Sequence, residues 1–225
     1  MNKFDKFSVI IPTMWLSNYL IQMMEIYNRC ELISQIIIID NAPNRSFNLK
    51  SDKLIKVTKG KNIYVNPAWN WGIELATNDR VIIINDDLLF DESDFNKLLE
   101  LSNSILKDNM IIGPSPNCFK QIGLTLGGLK ITKSGTEFNP ESKYGFGTCM
   151  IMKRGSYTIV PSDILIFHGD VIQHNTNEVY LFNGIEIKTP MSATLKTEFG
   201  VHDLARLDHA KAKKYNNKEL KKFKI

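Results

Sequence analysis

The segment "RVIIINDDLLF", Arg80 to Phe90, constrains this chain more than any other. Four consecutive β-branched residues, Val81 to Ile84, read as a strand buried on both faces, as in a parallel or mixed sheet covered by helices. The run stops at Asn85, Asp86 and Asp87. Carboxylates leaving the C-terminal end of such a strand enter the crevice where open α/β sheets bind ligands. Adjacent carboxylates repel unless a cation or hydrogen-bond donors compensate them, and a hard divalent metal with oxygen ligands does this well. A solvated turn after the strand fits the same letters.

The first half alternates strand and helix patterns. Phe7 to Ile11 reads as a short buried strand closed by Pro12. About Ser17 to Cys30 has helical spacing, with Leu20, Met23, Met24 and Tyr27 on one face. Ile36 to Ile39 is a second apolar strand ended by the turn formers "DNAPN". Leu54 to Val57 and Ile63 to Val65 are short strand candidates. Pro67 to Ala76 reads as a helix feeding the Val81 strand, and Ser93 to Leu106 as another, with Ser93 as N-cap. Ile164 to Phe167 reads as a later strand, and the glycine-richer second half carries a hairpin-like "TLGGLKIT".

This order predicts an α/β fold, a mostly parallel mixed sheet flanked by helices in a single domain. The regular first part, about 1–110, is expected to be a nucleotide-binding half, grading into an acceptor-facing half at 111–210 of the same domain. A basic C-terminal tail follows at 211–225, with seven lysines between Lys211 and Lys224 against Glu219 alone. Such a run is commonly a solvated, frayed helix, and it also suits an anionic acceptor or membrane surface.

At 225 residues the chain supports one substantial core. Its apolar runs fall well short of the roughly 20 residues of a membrane span, and the amino terminus lacks the long apolar stretch of a signal peptide. Three cysteines, odd in number and without metal-ligand spacing, fit a reduced, cytoplasmic setting. The net charge of +4 does not by itself indicate nucleic acid.

The order of motifs resembles a GT-A glycosyltransferase of the family 2 type, over about residues 7 to 205. "FSVIIPT" is similar to the first strand of that family, and "IIIIDNA" to the second. "NPAWNWGIELATNDRVIIINDD" matches the longest motif, a helix and strand ending in the metal-binding acidic triplet. "YGFGTCMIMKR" is similar to the strand beside the acceptor, "FHGDVIQ" to the catalytic-acid segment, and "GVHDL" to the segment with a metal- or phosphate-binding histidine. Two departures stand out. Asn85 replaces the commoner first aspartate of the triplet, and Gly169-Asp170 replaces the commoner Glu-Asp pair. Compact members of this kind resemble those of large DNA viruses and phages, which would place the protein in the host cytoplasm.

The resemblance implies a metal-dependent, inverting transfer from a nucleoside-diphosphate sugar, chiefly a UDP-sugar, to a hydroxyl acceptor. That acceptor would be a saccharide, a glycoprotein or hydroxymethylated DNA. Pro12 and Thr13 would lie beside the base, and Asp40 would accept from uracil N3; an Asx-turn onto Ala42 also suits Asp40. Asn70 would join turn bonding to nucleotide contact, with Asn85 and Asp86 lining the donor site. Asp87 would hold Mn2+ or Mg2+ with His202, and His209 is the alternative ligand.

Asp170 would be the general base, with Phe167 and Ile172 supplying an apolar setting that raises its pKa; a turn-capping role also fits. His168 and His174 are acceptor-contact candidates or surface histidines. Of Trp69 and Trp71, one belongs to the core and the other could stack on base or sugar. Arg80 suits a surface ion pair. Two rivals stand beside this reading. A nucleotidyltransferase would need a Gly-rich, basic loop after the first strand, which "PTMWLSNYL" lacks. A noncatalytic sugar- or nucleic-acid-binding module would rely on the lysine tail.

Overall fold

The computed structural model describes residues 5–45, 47–119, 128–135, 145–190, 201–215 and 224, with backbone alone at 201 and 202. In chain order these form β1 (Phe7–Thr13), α1 (Tyr19–Arg29), β2 (Ile33–Asp40), β3 (Leu54–Val57), α2 (Val65–Leu75), β4 (Arg80–Ile84), β5 (Leu89–Phe90) and α3 (Glu92–Ile105). Then come β6 (Met110–Pro114), β7 (Lys130–Lys133), β8 (Cys149–Lys153), α4 (Gly169–Thr176), β9 (Glu178–Asn183), β10 (Ile187–Lys188) and α5 (Val201–Ala212).

Eight strands make one sheet in the order β3-β2-β1-β4-β8-β6-β9-β7. β3, β2, β1 and β4 are parallel; β8 runs against both β4 and β6, and β7 against β9. The expected mixed, mostly parallel sheet is present. Because side chains alternate along a strand, one apolar run supplies two cores. Val9, Ile11, Ile36, Ile38, Ile82 and Ile84 meet α1 and α3 on one face. Ile10, Ile37, Ile39, Val81 and Ile83 meet Trp69 and Ile73 of α2 on the other. Each fully buried side chain of this size contributes about 1.5–3 kcal/mol. At Gly72 a Cβ would lie 2.2 Å from Ile10 Cγ2, so α2 approaches β1 closely only because that residue is glycine.

Several boundaries differ from the sequence reading. β1 runs through Pro12 to Thr13. Asn41 N–H donates to the Thr13 carbonyl on the β2 side, so the N–H that Pro12 lacks falls on the β4 side, where pairing ends at Ile10 and Ile83. Ile63 to Val65 is not a strand: the Ile63 N–H is taken by Asn41 Oδ1 and the Tyr64 N–H by Asn62 Oδ1, and Val65 already opens α2. The α3 N-cap is Asp91, whose Oδ1 accepts from Ser93 and Asp94 N–H, so Ser93 lies inside the helix. Ile164 to Phe167 forms a turn, not a strand. Of "TLGGLKIT", residues 125–127 lie outside the described residues, and the remainder reaches β7 beside β9.

Parallel order also defines two edges. The C-terminal ends of β1, β2 and β4 share one edge, and the starts of β6 and β9 lie at the opposite one. At that far edge Lys224 bridges to Thr158, and its Nζ donates to Asn109 Oδ1 (2.5 Å) and Asn177 Oδ1 (3.1 Å). The basic segment therefore starts inside α5, and its described end is docked away from the β1–β4 edge. Among the described residues, no helix is long and apolar enough to cross a membrane.

Candidate functional site

Thr13, Asp40 and the Asn85–Asp87 turn meet at the edge where β1, β2 and β4 end. Thr13 and Asp40 are direct neighbours in the parallel register. Thr13 Oγ1 donates to Asp86 Oδ2 (2.5 Å) and accepts from the Trp15 N–H (2.9 Å). Trp15 Nε1 in turn donates to Asp40 Oδ1 (2.8 Å), which also accepts from the Ala42 N–H (3.0 Å). The Asx-turn at Asp40 is thus present, and Asp40 is only 3% exposed. Pro12 stands one residue before this cluster in β1.

Asp86 is half-buried and Asp87 buried. Burial pushes the Asp86 carboxyl up to about 6; the Thr13 hydrogen bond works against that rise, and the neighbouring charge of Asp87 adds to it. Two carboxylates held so close in a drying site favour a compensating cation. The donor set is oxygen only, which suits Mg2+ or Mn2+ as part of a shell completed by ligand oxygens. Among the described residues no group of three or more His, Cys, Asp or Glu side chains could hold a metal. The side chain of His202 lies outside the described residues; its backbone sits in the first turn of α5.

Asn85 joins this edge to the next part of the site. Its N–H donates to the Thr148 carbonyl (2.9 Å), extending the β4–β8 pairing. One residue earlier is Gly147, where a Cβ would stand 2.6 Å from Asp170 Cβ and 3.0 Å from Asp170 Oδ2. The bare Gly147 backbone thus lets Asp170 come up beside the end of β4. Asp170 lies in the first turn of α4, not after a strand. Burial raises its pKa, opposed by the Val171 N–H (2.9 Å to Oδ1) and by His168. A half-buried carboxylate with a raised pKa, packed beside Gly147 at the edge where β4 ends, is an arrangement suited to proton transfer.

The remaining candidates lie around this edge and beyond it. Asn70 is given over to structure: its Nδ2 donates to the Val160 carbonyl (2.8 Å), and its Oδ1 accepts from Tyr157 Oη (2.8 Å) and the Val160 N–H (3.0 Å). Trp69 belongs to the core, while half-buried Trp71 lies under the Lys59 ammonium at 4.2 Å. His174 is no surface histidine; at 3% exposure it stacks edge-on against Phe146. His209 Nδ1 faces His168 Nε2 at 3.3 Å, and burial, then the nearby His209, lower the His168 pKa. Arg80, at the far edge, binds Asp5 and Asn103.

Trp15, Asn66 and Asp208 were not singled out by sequence. Trp15 (φ 58°), Tyr64 (φ 67°) and His168 (φ 66°) hold a left-handed backbone that non-glycine residues rarely adopt. They follow β1, precede α2 and precede α4; a fourth such residue, Asn109 (φ 59°), lies at the far edge before β6.

Residues 8–157 match the family model described as glycosyl transferase family 2. No curated protein sequence matches the chain. Among solved structures, S. aureus TarS 1-349 in complex with UDP-GlcNAc superposes with a TM-score of 0.58 at 10% identity, covering 90% of this chain and 64% of that one. GalNAc-T7 with UDP, GalNAc and Mn2+ gives 0.57 at 10% identity, covering 84% and 44%. A second structure of S. aureus TarS gives 0.56 at 12%, covering 92% and 39%. The chain therefore spans less than two thirds of the length of these structures, and at such identities the likeness concerns the fold.

Proposed function

The chain belongs to glycosyl transferase family 2, and from that premise we propose that it transfers a sugar from a UDP-sugar to a hydroxyl acceptor with inversion at the anomeric carbon. The observation that carries this reading is that the Asn85–Asp87 turn is tied through the Asn85 N–H to Thr148, next to the Gly147 against which the raised-pKa carboxylate of Asp170 packs. Structures that share the fold contain UDP, UDP-GlcNAc or UDP with Mn2+, which supports a nucleotide-sugar donor.

On this reading the base lies by Thr13 and Asp40, the latter held by Trp15 and the Ala42 amide. Asp87, with Asp86 beside it, would hold Mn2+ or Mg2+, which when bound compensates the charge of the leaving diphosphate. Asp170 takes the acceptor proton as the acceptor oxygen bonds the anomeric carbon from the side opposite the diphosphate. The carbon–oxygen bond to the diphosphate breaks with its electron pair leaving on UDP. Burial that raises the Asp170 pKa makes its carboxylate a stronger proton acceptor. Saccharide, glycoprotein and modified-DNA acceptors are all compatible with this chemistry.

The reading is tested by incubating the folded protein with a panel of UDP-sugars, with and without MnCl2, and following UDP and free sugar by mass spectrometry. Slow Mn2+-dependent hydrolysis of at least one donor is expected. No turnover of any nucleotide sugar contradicts the reading. Cation binding also needs ionised Asp86. With its folded pKa at about 6, Mn2+-dependent UDP affinity is expected to fall as the pH drops through that value. Below it, affinity falls by about tenfold per pH unit as the carboxylate is protonated.

A further inference from the structure

The turn that delivers Asp170 is held from both sides. On one side, α2 takes its carbonyls: Asn66 Nδ2 donates to those of Ile164 (3.2 Å) and Phe167 (3.1 Å), and the Asn66 N–H to that of Leu165 (2.9 Å). On the other side, α5 takes its amides. The Leu165 N–H donates to Asp208 Oδ1 (3.0 Å), and the Ile166 and Phe167 N–H groups donate to Oδ2 (2.8 and 2.9 Å).

Three successive N–H groups converging on one carboxylate form a backbone nest for an anion. Asp208 is 0% exposed, and among the described residues no lysine or arginine forms a salt bridge with it. A buried carboxylate costs several kcal/mol unless its charge is met. Here charge-assisted bonds from the turn meet it. The helix and the residues just after it reinforce the hold: Lys211 Nζ donates to the Asp163 carbonyl (2.6 Å), and Tyr215 Oη to Asp163 Oδ1 (2.9 Å).

Little slack separates this turn from Asp170. His168 follows with a left-handed backbone, and Gly169 has no room to shift toward α2. A Cβ there would stand 2.1 Å from Asn66 Oδ1 and 2.8 Å from Trp69 Cζ3. Asp170 comes next, against Gly147.

We infer that Asp208 is a positioning residue: its carboxylate fixes the 165–167 turn and, through it, the place of the Asp170 carboxylate beside the end of β4. The inference rests on Asp170 serving as the base. It adds a residue that never needs to touch donor or acceptor.

The test is Asp208→Asn, whose amide offers one acceptor oxygen and turns an N–H toward the backbone donors. Two readouts are taken on the folded variant. One is the Asp170 titration followed by carboxyl 13C NMR, with Asp170→Asn for assignment. The other is Mn2+-dependent UDP-sugar turnover beside UDP affinity. The Asp170 midpoint is expected to move, UDP affinity to stay within about twofold, and kcat to fall about tenfold to a hundredfold, as misplacement near an ångström does. Asp208→Glu, which keeps both oxygens one methylene further out, is expected to be intermediate in both; it carries the test if the Asn variant does not fold.

An unchanged Asp170 midpoint with kcat within twofold of wild type overturns the inference, even where the melting temperature drops. If wild type itself turns over no UDP-sugar while Asp208→Asn still moves the Asp170 midpoint, the functional reading fails and the structural coupling stands.

Discussion

Asp170→Asn is expected to bind UDP with Mn2+ as tightly as wild type, within about twofold, and to lose about 10²- to 10⁴-fold in sugar transfer, the usual contribution of a positioned general base. The substitution is nearly isosteric, so the contact with Gly147 and the first turn of α4 persist. The variant cannot accept the acceptor proton. Because Asp170 reaches the β4 edge only across Gly147 and Thr148, its loss leaves the Thr13–Asp86 and Trp15–Asp40 hydrogen bonds intact. Binding and chemistry should therefore separate cleanly in calorimetry and single-turnover assays. Transfer at near-native rate would require a different base.

Asp87→Ala carries the second large effect, in the opposite compartment of the same assay. It should abolish the Mn2+-dependent part of UDP affinity, a loss of at least about a hundredfold given the several kcal/mol that a bound cation supplies to phosphoryl oxygens. Removing that charge also removes one of the causes of the high Asp86 pKa. In the metal-free variant the Asp86 titration should therefore move down toward the ordinary carboxylate range. The fall is expected to be partial, because burial, the larger cause, remains in the folded variant; a disordered edge would lose burial as well and return Asp86 to its ordinary value. Unchanged Mn2+-dependent UDP binding would exclude Asp87 as the ligand.

The parts of this fold that sequence reveals are those whose partners are generic. All-apolar runs such as Ile36–Ile39 and Val81–Ile84 need only apolar cover on both faces, and both lie in central strands. Strand ends follow from the same logic, which is why Thr13, Asp40 and Asp86 could be placed on one edge. What escaped depends on particular long-range partners. Ile164–Phe167 has the composition of a strand, but its amides go to Asp208 and its carbonyls to Asn66, so it is a turn. Asp208 sits just before the lysine-rich segment, and nothing in the sequence around it announces its partners. The available signal was helical: Leu204, Asp208 and Ala212 fall on one inward stripe, and a carboxylate on such a stripe needs a buried set of donors. Likewise the structural partners of Asn70, Tyr157 and Val160, are residues far away in sequence.

A crystal structure of the wild-type protein grown with UDP and MnCl2 tests the central claim most directly. It should show the cation bonded to an Asp87 carboxylate oxygen at about 2.0–2.3 Å, bridging to the diphosphate, with the uracil beside Thr13 and Asp40. A fully occupied UDP whose diphosphate sits away from Asp86 and Asp87, or a cation bound elsewhere, would contradict the account.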